Sequence, residues 1–270
     1  MRVWFPHSIL DRRALRIEQL VALRVYSNGA LFGEVGGSSP GRILALHGWG
    51  RRGSDFTASL QGLDYLALDL PGFGVSPPPP VAMGSEGYAE MIAPVLEEMG
   101  PRPLIVGHSF GGRVAVVLAD AYPARVAGLV LTGVPLLSQT GGKRSLPLPF
   151  RLGRWAHRRG LVGDERVEAL RRRYGSADYR QASGVMRSSL VRVVNETYEE
   201  QLGRLRIPVY LLWGKKDGEV PPTIAERALP LIIESGATAT LETLDNVGHW
   251  VPTEAPAALR RVVEGMLERV

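Results

Sequence analysis

Four short runs of uninterrupted apolar residues punctuate the first half of the chain: ILAL at 43–46, YLAL at 65–68, PLIV at 103–106 and GLVLT at 128–132. Runs this short, bounded by Gly and Pro, are the pattern of strands buried on both faces. Between them, apolar residues recur at three- to four-residue spacing over 91–99 and 110–121, which predicts helices. Strand and helix in alternation predict a mostly parallel sheet with helices on both faces. Ahead of these, ALRVY (22–26) and ALFGEV (30–35) flank Ser27-Asn28-Gly29, a turn composition that reaches positive φ at low cost and predicts a hairpin. Residues 1–21 are mixed and fit a short helix or an irregular arm.

The alternation stops over 135–206. A Gly/Pro-rich stretch (141–153) and Arg-rich amphipathic pieces (164–174) take its place, which predicts an inserted helical layer. It resumes with VYLLW (209–213), a helix over 222–231, a strand at 239–244 and a last helix over 255–270. The expected division is therefore a core of 1–134 with 207–270 and an insertion of 135–206. No internal repeat is visible.

With 45% apolar and 22% charged residues, the 270-residue chain has ordinary globular usage, which excludes disorder. No stretch approaches the roughly 20 uncharged apolar residues of a membrane span. The most apolar region, 114–137, is broken by Asp120, Pro123 and Arg125. The first residues show no apolar core of a secretory signal, so a cytoplasmic location is expected. Zero Cys removes thiolate zinc sites and a Cys nucleophile, and five His limit any metal site. No metal and no cofactor is expected. The net charge of +5 is unevenly placed, with +8 on 135–206 and −3 on the rest. The Arg clusters lack interleaved aromatics, so nucleic acid is not an expected partner.

Gly-x-Ser-x-Gly occurs twice, at 37–41 and 107–111. The first lies in a polar turn with no strand before it, which makes Ser39 a loop residue. The second follows PLIV directly and enters the helical FGGRVAVVLADA, so Ser109 stands at a strand-to-helix apex where side chains at 107 and 111 would collide. A serine there is a candidate nucleophile beside the positive end of a helix. It needs a base, and the base needs an orienting acid. His249 falls in a loop after the last predicted strand, and Asp217 lies just beyond VYLLW, both at the edge where the carboxyl ends of parallel strands gather ligands. Asp245 is the alternative acid. His47-Gly48-Trp49-Gly50 follows ILAL as the serine motif follows PLIV, so the Trp49 and Phe110 N–H groups are the candidate oxyanion donors. The side chains of Trp49, Phe110 and Trp250 flank these groups and are the candidates for substrate contact. His47 and His108 read as loop supports.

These motifs together resemble the α/β-hydrolase superfamily over nearly the whole chain. HGWG is similar to its oxyanion loop, Asp69-Leu70-Pro71-Gly72-Phe73-Gly74 to its DxPGxG loop, GHSFGG to its nucleophile elbow, and GHWVPTEAP to its His-x4-Glu-x-Pro ending with Glu254 and Pro256. AYPARVAGLVLTG (121–133) is similar as well. The resemblance implies an eight-stranded, mostly parallel sheet with a helical cap after the sixth strand. Serine at 109 separates the chain from the Asp-nucleophile branches. The expected activity is cofactor-free hydrolysis of carboxylic esters, carboxylesterase- or lipase-like, on Ser109, His249 and Asp217. The same set serves thioester cleavage, carbon–carbon cleavage of dienoic ketones and perhydrolysis in related families, and some relatives are small-molecule receptors. A basic cap would favour anionic or carrier-bound esters, whereas Arg154, Arg158, Arg159, Arg171, Arg172 and Arg173 as solvated helix faces would not.

Overall fold

In the computed structural model, which describes residues 22–37, 41–100, 102–138, 159, 162–163 and 176–270, each apolar run is a strand of one sheet. The strands are β1 (Ala22–Tyr26), β2 (Leu31–Gly36), β3 (Ile43–Leu46), β4 (Tyr65–Asp69), β5 (Leu104–His108), β6 (Gly128–Thr132), β7 (Val209–Gly214) and β8 (Ala239–Leu244). Their spatial order is β1-β2-β4-β3-β5-β6-β7-β8. The pairs β1–β2 and β2–β4 are antiparallel, and all the others are parallel. The hairpin turn has Ser27 at φ 49° and Gly29 at φ 95°, the positive-φ positions that its composition admits.

Period-two alternation within each strand sorts side chains onto two faces. Leu44, Leu46, Leu66, Leu68, Ile105, Leu129, Leu131, Leu211 and Trp213 belong to one buried cluster. Ile43, Ala45, Tyr65, Ala67, Leu104, Val106, Val130 and Leu212 belong to the other. The first is covered by the helices α2 (Ser85–Glu98), α3 (Phe110–Ala121) and α7 (Pro222–Glu234), and the second by α1 (Thr57–Leu60) and α9 (Pro256–Leu267). At roughly 1.5–3 kcal/mol for each buried aliphatic side chain, these two layers dominate the stability.

Two helix boundaries differ from the pattern. The helix expected over 91–99 starts at Ser85, because its first N–H is accepted at 3.1 Å by both carboxylate oxygens of Glu196, a cap supplied by a distant segment. The final helix expected over 255–270 is α9, and a short helix not expected, α8 (Val251–Glu254), precedes it, the two separated at Ala255 (φ −138°, ψ 54°). A residue before proline is disfavoured in helical geometry, and Pro256 follows it.

Between β6 and β7 the described residues form α4 (Ala177–Gln181), α5 (Gly184–Val193) and α6 (Glu199–Leu202). The arm at 1–21, Ser39, the 141–153 stretch and the Arg154, Arg158 and Arg171–Arg173 positions lie outside the described residues. Among those described, no helix is long and apolar enough to cross a membrane.

Candidate active site

β5 runs into α3 with a single residue between them, Ser109, and the turn is so abrupt that its backbone sits at φ 48°, ψ −112°. A non-glycine residue there costs on the order of 1–3 kcal/mol and persists only where the surroundings enforce it. They do. A Cβ on Gly111 would clash with Leu46 O and His47 O, and one on Gly107 would come within 2.5 Å of Gly112 Cα. The Ser109 N–H donates to Thr132 O at 2.9 Å, which extends the β5–β6 ladder to the apex itself.

The carboxyl ends of β7 and β8 bring Asp217 and His249 together. Asp217 Oδ2 accepts a hydrogen bond from His249 Nδ1 at 2.8 Å, and both side chains are almost wholly buried. Asp217 Oδ1 accepts the N–H groups of Glu219 (2.9 Å) and Val220 (2.8 Å), so the buried carboxylate has partners on both oxygens. With Nδ1–H held by Asp217, His249 carries its lone pair on Nε2, the tautomer a general base requires. Asp245 is elsewhere: it pairs with Lys215 at 2.8 Å on the surface, and that contact lowers its carboxyl pKa. Two further residues complete the setting: Gly133, to which the sequence assigned no role, and Glu254 of the His-x4-Glu-x-Pro ending. Gly133 (φ 57°) lies so close that a Cβ would come 2.9 Å from His249 Nδ1. Glu254 accepts the N–H groups of Gly248 (2.6 Å) and Trp250 (3.0 Å), gripping the backbone on either side of His249.

His47 and His108 tie loops. His47 donates from Nδ1 to Gly48 O (2.7 Å) and accepts the Leu70 N–H at Nε2 (2.9 Å), with burial lowering its pKa to about 4. His108 Nδ1 lies 3.0 Å from Thr132 O, and burial, with His249 alongside, holds its pKa well below the ordinary value. Both are neutral at pH 7. Asp69 pins the loop that follows β4, accepting the N–H groups of Gly53 (2.8 Å) and Val75 (2.9 Å). Among the described residues neither the Trp49 nor the Phe110 N–H has an acceptor.

A cavity of about 1030 Å³ opens over these groups, and Trp49, Ser109, Arg113, His249 and Trp250 are in its lining. Phe110 is not. Its ring is buried and packs edge-on against Trp49 (5.1 Å) and Tyr88 (4.8 Å), so it presents only its backbone to the site. Trp250 stacks beside His108 (5.2 Å) and His249 (5.1 Å), with the Arg51 guanidinium 4.9 Å from its ring centre. From the segment between β6 and β7, the lining includes Asp178, Asn195 and Glu196.

Residues 43–262 match the model of the Alpha/beta hydrolase family. The chain is 27% identical to a 2-hydroxy-6-oxononadienedioate/2-hydroxy-6-oxononatrienedioate hydrolase of Cupriavidus pinatubonensis, over 86% of this chain and 88% of that one. It is 28% identical to an esterase of Mycobacterium tuberculosis, over 86% of this chain and 84% of that one. Among solved structures, an esterase from Exiguobacterium antarcticum superposes with a TM-score of 0.67 at 18% identity, covering 92% of this chain and 100% of that one.

Proposed function

The chain belongs to the alpha/beta hydrolase family, and from that premise we propose that it cleaves carboxylic esters through an acyl-enzyme on Ser109. His249 Nε2 takes the Ser109 proton as Oγ attacks the carbonyl carbon, then returns it to the departing alcohol. Asp217 holds the imidazole in that tautomer and stabilises the imidazolium. The Trp49 and Phe110 N–H groups receive the oxyanion, each worth about 10²–10³ in rate. A water activated by the same histidine releases the acid. Residues 135–206 form the lid, over a core of 1–134 and 207–270. The observation that carries this reading is the strained Ser109 backbone, in one cavity with His249, which Asp217 holds from behind.

Carbon–carbon cleavage is the second reading, supported by the name of the Cupriavidus relative. A dienedioate is a dianion and needs cationic partners, yet the described lining offers one guanidinium, Arg113, and it is engaged with Val193 O. That favours the ester. A panel of chromogenic esters of increasing chain length, run beside a dienoic ketone substrate, separates the two. Ester turnover with an inert ketone supports the proposal; the reverse overturns it.

A further inference from the structure

The charged side chains among the described residues of the cavity wall are Asp178, Glu196, Glu219 and Arg113. Glu196 is engaged with the Ser85 N–H and the Tyr198 hydroxyl, the latter at 2.7 Å. Arg113 donates to Val193 O and lies 5.8 Å from the centre of the Tyr198 ring. Glu219 has its carboxylate 3.6 Å from His249 Nε2. Asp178 differs from all three, because its carboxylate is exposed to the cavity and, among the described residues, enters no hydrogen bond or ion pair.

Its backbone is fixed nonetheless. Ser176 caps α4 by accepting the Tyr179 N–H at 3.2 Å, and the Asp178 carbonyl accepts the Ala182 N–H at 2.9 Å. The carboxylate reaches to the loop that carries Trp49, where a Cβ on Gly50 would lie 4.0 Å from Asp178 Oδ1. Asp178 and Trp49 also line a second chamber of about 230 Å³, with Phe73 and Met186 among its other walls. The carboxylate therefore stands where the two chambers meet, beside a partly exposed indole.

We propose that Asp178 is the specificity-determining residue of the site, receiving with the Trp49 indole the ammonium group of a cationic ester whose carbonyl lies at Ser109. This rests on the ester reading above. A cation there gains Coulombic attraction to the carboxylate and attraction to the indole face, whereas an anion meets repulsion. Partial burial raises the Asp178 carboxyl pKa, outweighing the opposing influence of His249. The second chamber admits a compact apolar group beside the cation, since a cavity of about 150 Å³ holds benzene.

The test uses three esters of one size: a trimethylammonium ester, its uncharged tert-butyl isostere and a carboxylate analogue. For each variant the readout is the ratio of kcat/KM for the charged ester to that for the neutral one. The wild-type chain is expected to favour the cation by about tenfold. Asp178→Asn should bring that ratio within about twofold of unity, and Asp178→Glu, which keeps the charge, should retain most of it. A wild-type ratio near one, a preference that survives Asp178→Asn, or a preference for the carboxylate ester overturns the assignment. Turnover of the neutral ester that is lost in Ser109→Ala keeps the ester reading standing in each of those cases. If the wild-type chain cleaves none of the three, the ester reading falls and this assignment falls with it.

Discussion

The floor of the cavity is made by the carboxyl ends of β3, β5, β6, β7 and β8 and the loops that follow them, where, around Ser109, backbone meets backbone. A Cβ on Gly107 or Gly111 would meet backbone atoms, and the Ser109 and Gly111 N–H groups donate to Thr132 O and His47 O. The roof, as far as residues 176–206 describe it, is held differently. Glu196 caps α2, Arg113 reaches Val193 O, the Met83 N–H donates to Ser189 Oγ at 3.1 Å, and Leu190, Val193 and Leu202 are buried beneath. Its attachments are thus mainly side chains meeting single backbone groups, and each can be changed alone. A floor of this kind keeps the reacting groups within tight tolerances. A roof of this kind leaves substrate choice to residues such as Asp178, which the chemistry does not constrain.

That contrast can be broken from either side. The largest expected effect is at the floor: Asp217→Asn should lower kcat by about 10³–10⁴-fold, through loss of the His249 tautomer, in steady-state assays on a neutral ester. Asp245→Asn, which only loosens a surface pair with Lys215, should stay within about twofold. A larger loss for Asp245→Asn would move the acid. Next, Gly111→Ala should cost about 3 kcal/mol in urea unfolding, because backbone oxygens cannot step aside. Gly265→Ala, with open space around it, should be neutral or stabilising.

An effect of similar size comes from pH. His47 is held at about 4, against about 6.5 when unfolded, so between those values the unfolded chain binds more protons. The resulting stability is present above pH 6.5 and is lost as pH falls through 4, on the order of 3 kcal/mol. Urea midpoints from pH 7 to 4 should fall accordingly, and His47→Gln should flatten part of the slope. The smallest effect is at the roof: Glu196→Gln should cost about 1 kcal/mol and raise amide exchange in the first turn of α2. A cost as large as that of Gly111→Ala would erase the distinction between floor and roof.

The floor was legible in the sequence for the reason that makes it rigid. Strands buried on both faces are apolar throughout, as at 43–46 and 128–132, and a turn with no room for a Cβ demands glycine at 107 and 111. Asp217 and His249, 32 positions apart, could be paired only because both follow strands that end at one sheet edge. What was not legible depends on tertiary partners. Nothing near Ser85 announces a helix start, since its cap is Glu196. Phe110 has the composition of a substrate contact, yet the elbow turns its ring down toward Tyr88. Asp178 sits in the most basic segment of the chain, where net charge points toward anionic substrates, and only its position at the cavity shows a carboxylate facing the site.

The central assignment is Ser109 as the nucleophile, and covalent labelling tests it most directly. The protein is treated with a fluorophosphonate and the adduct is located by peptide mass spectrometry. One adduct on Ser109 is expected, absent in Ser109→Ala and strongly slowed in His249→Ala. Labelling of Ser39, or of any serine while Ser109 stays unmodified, would contradict it.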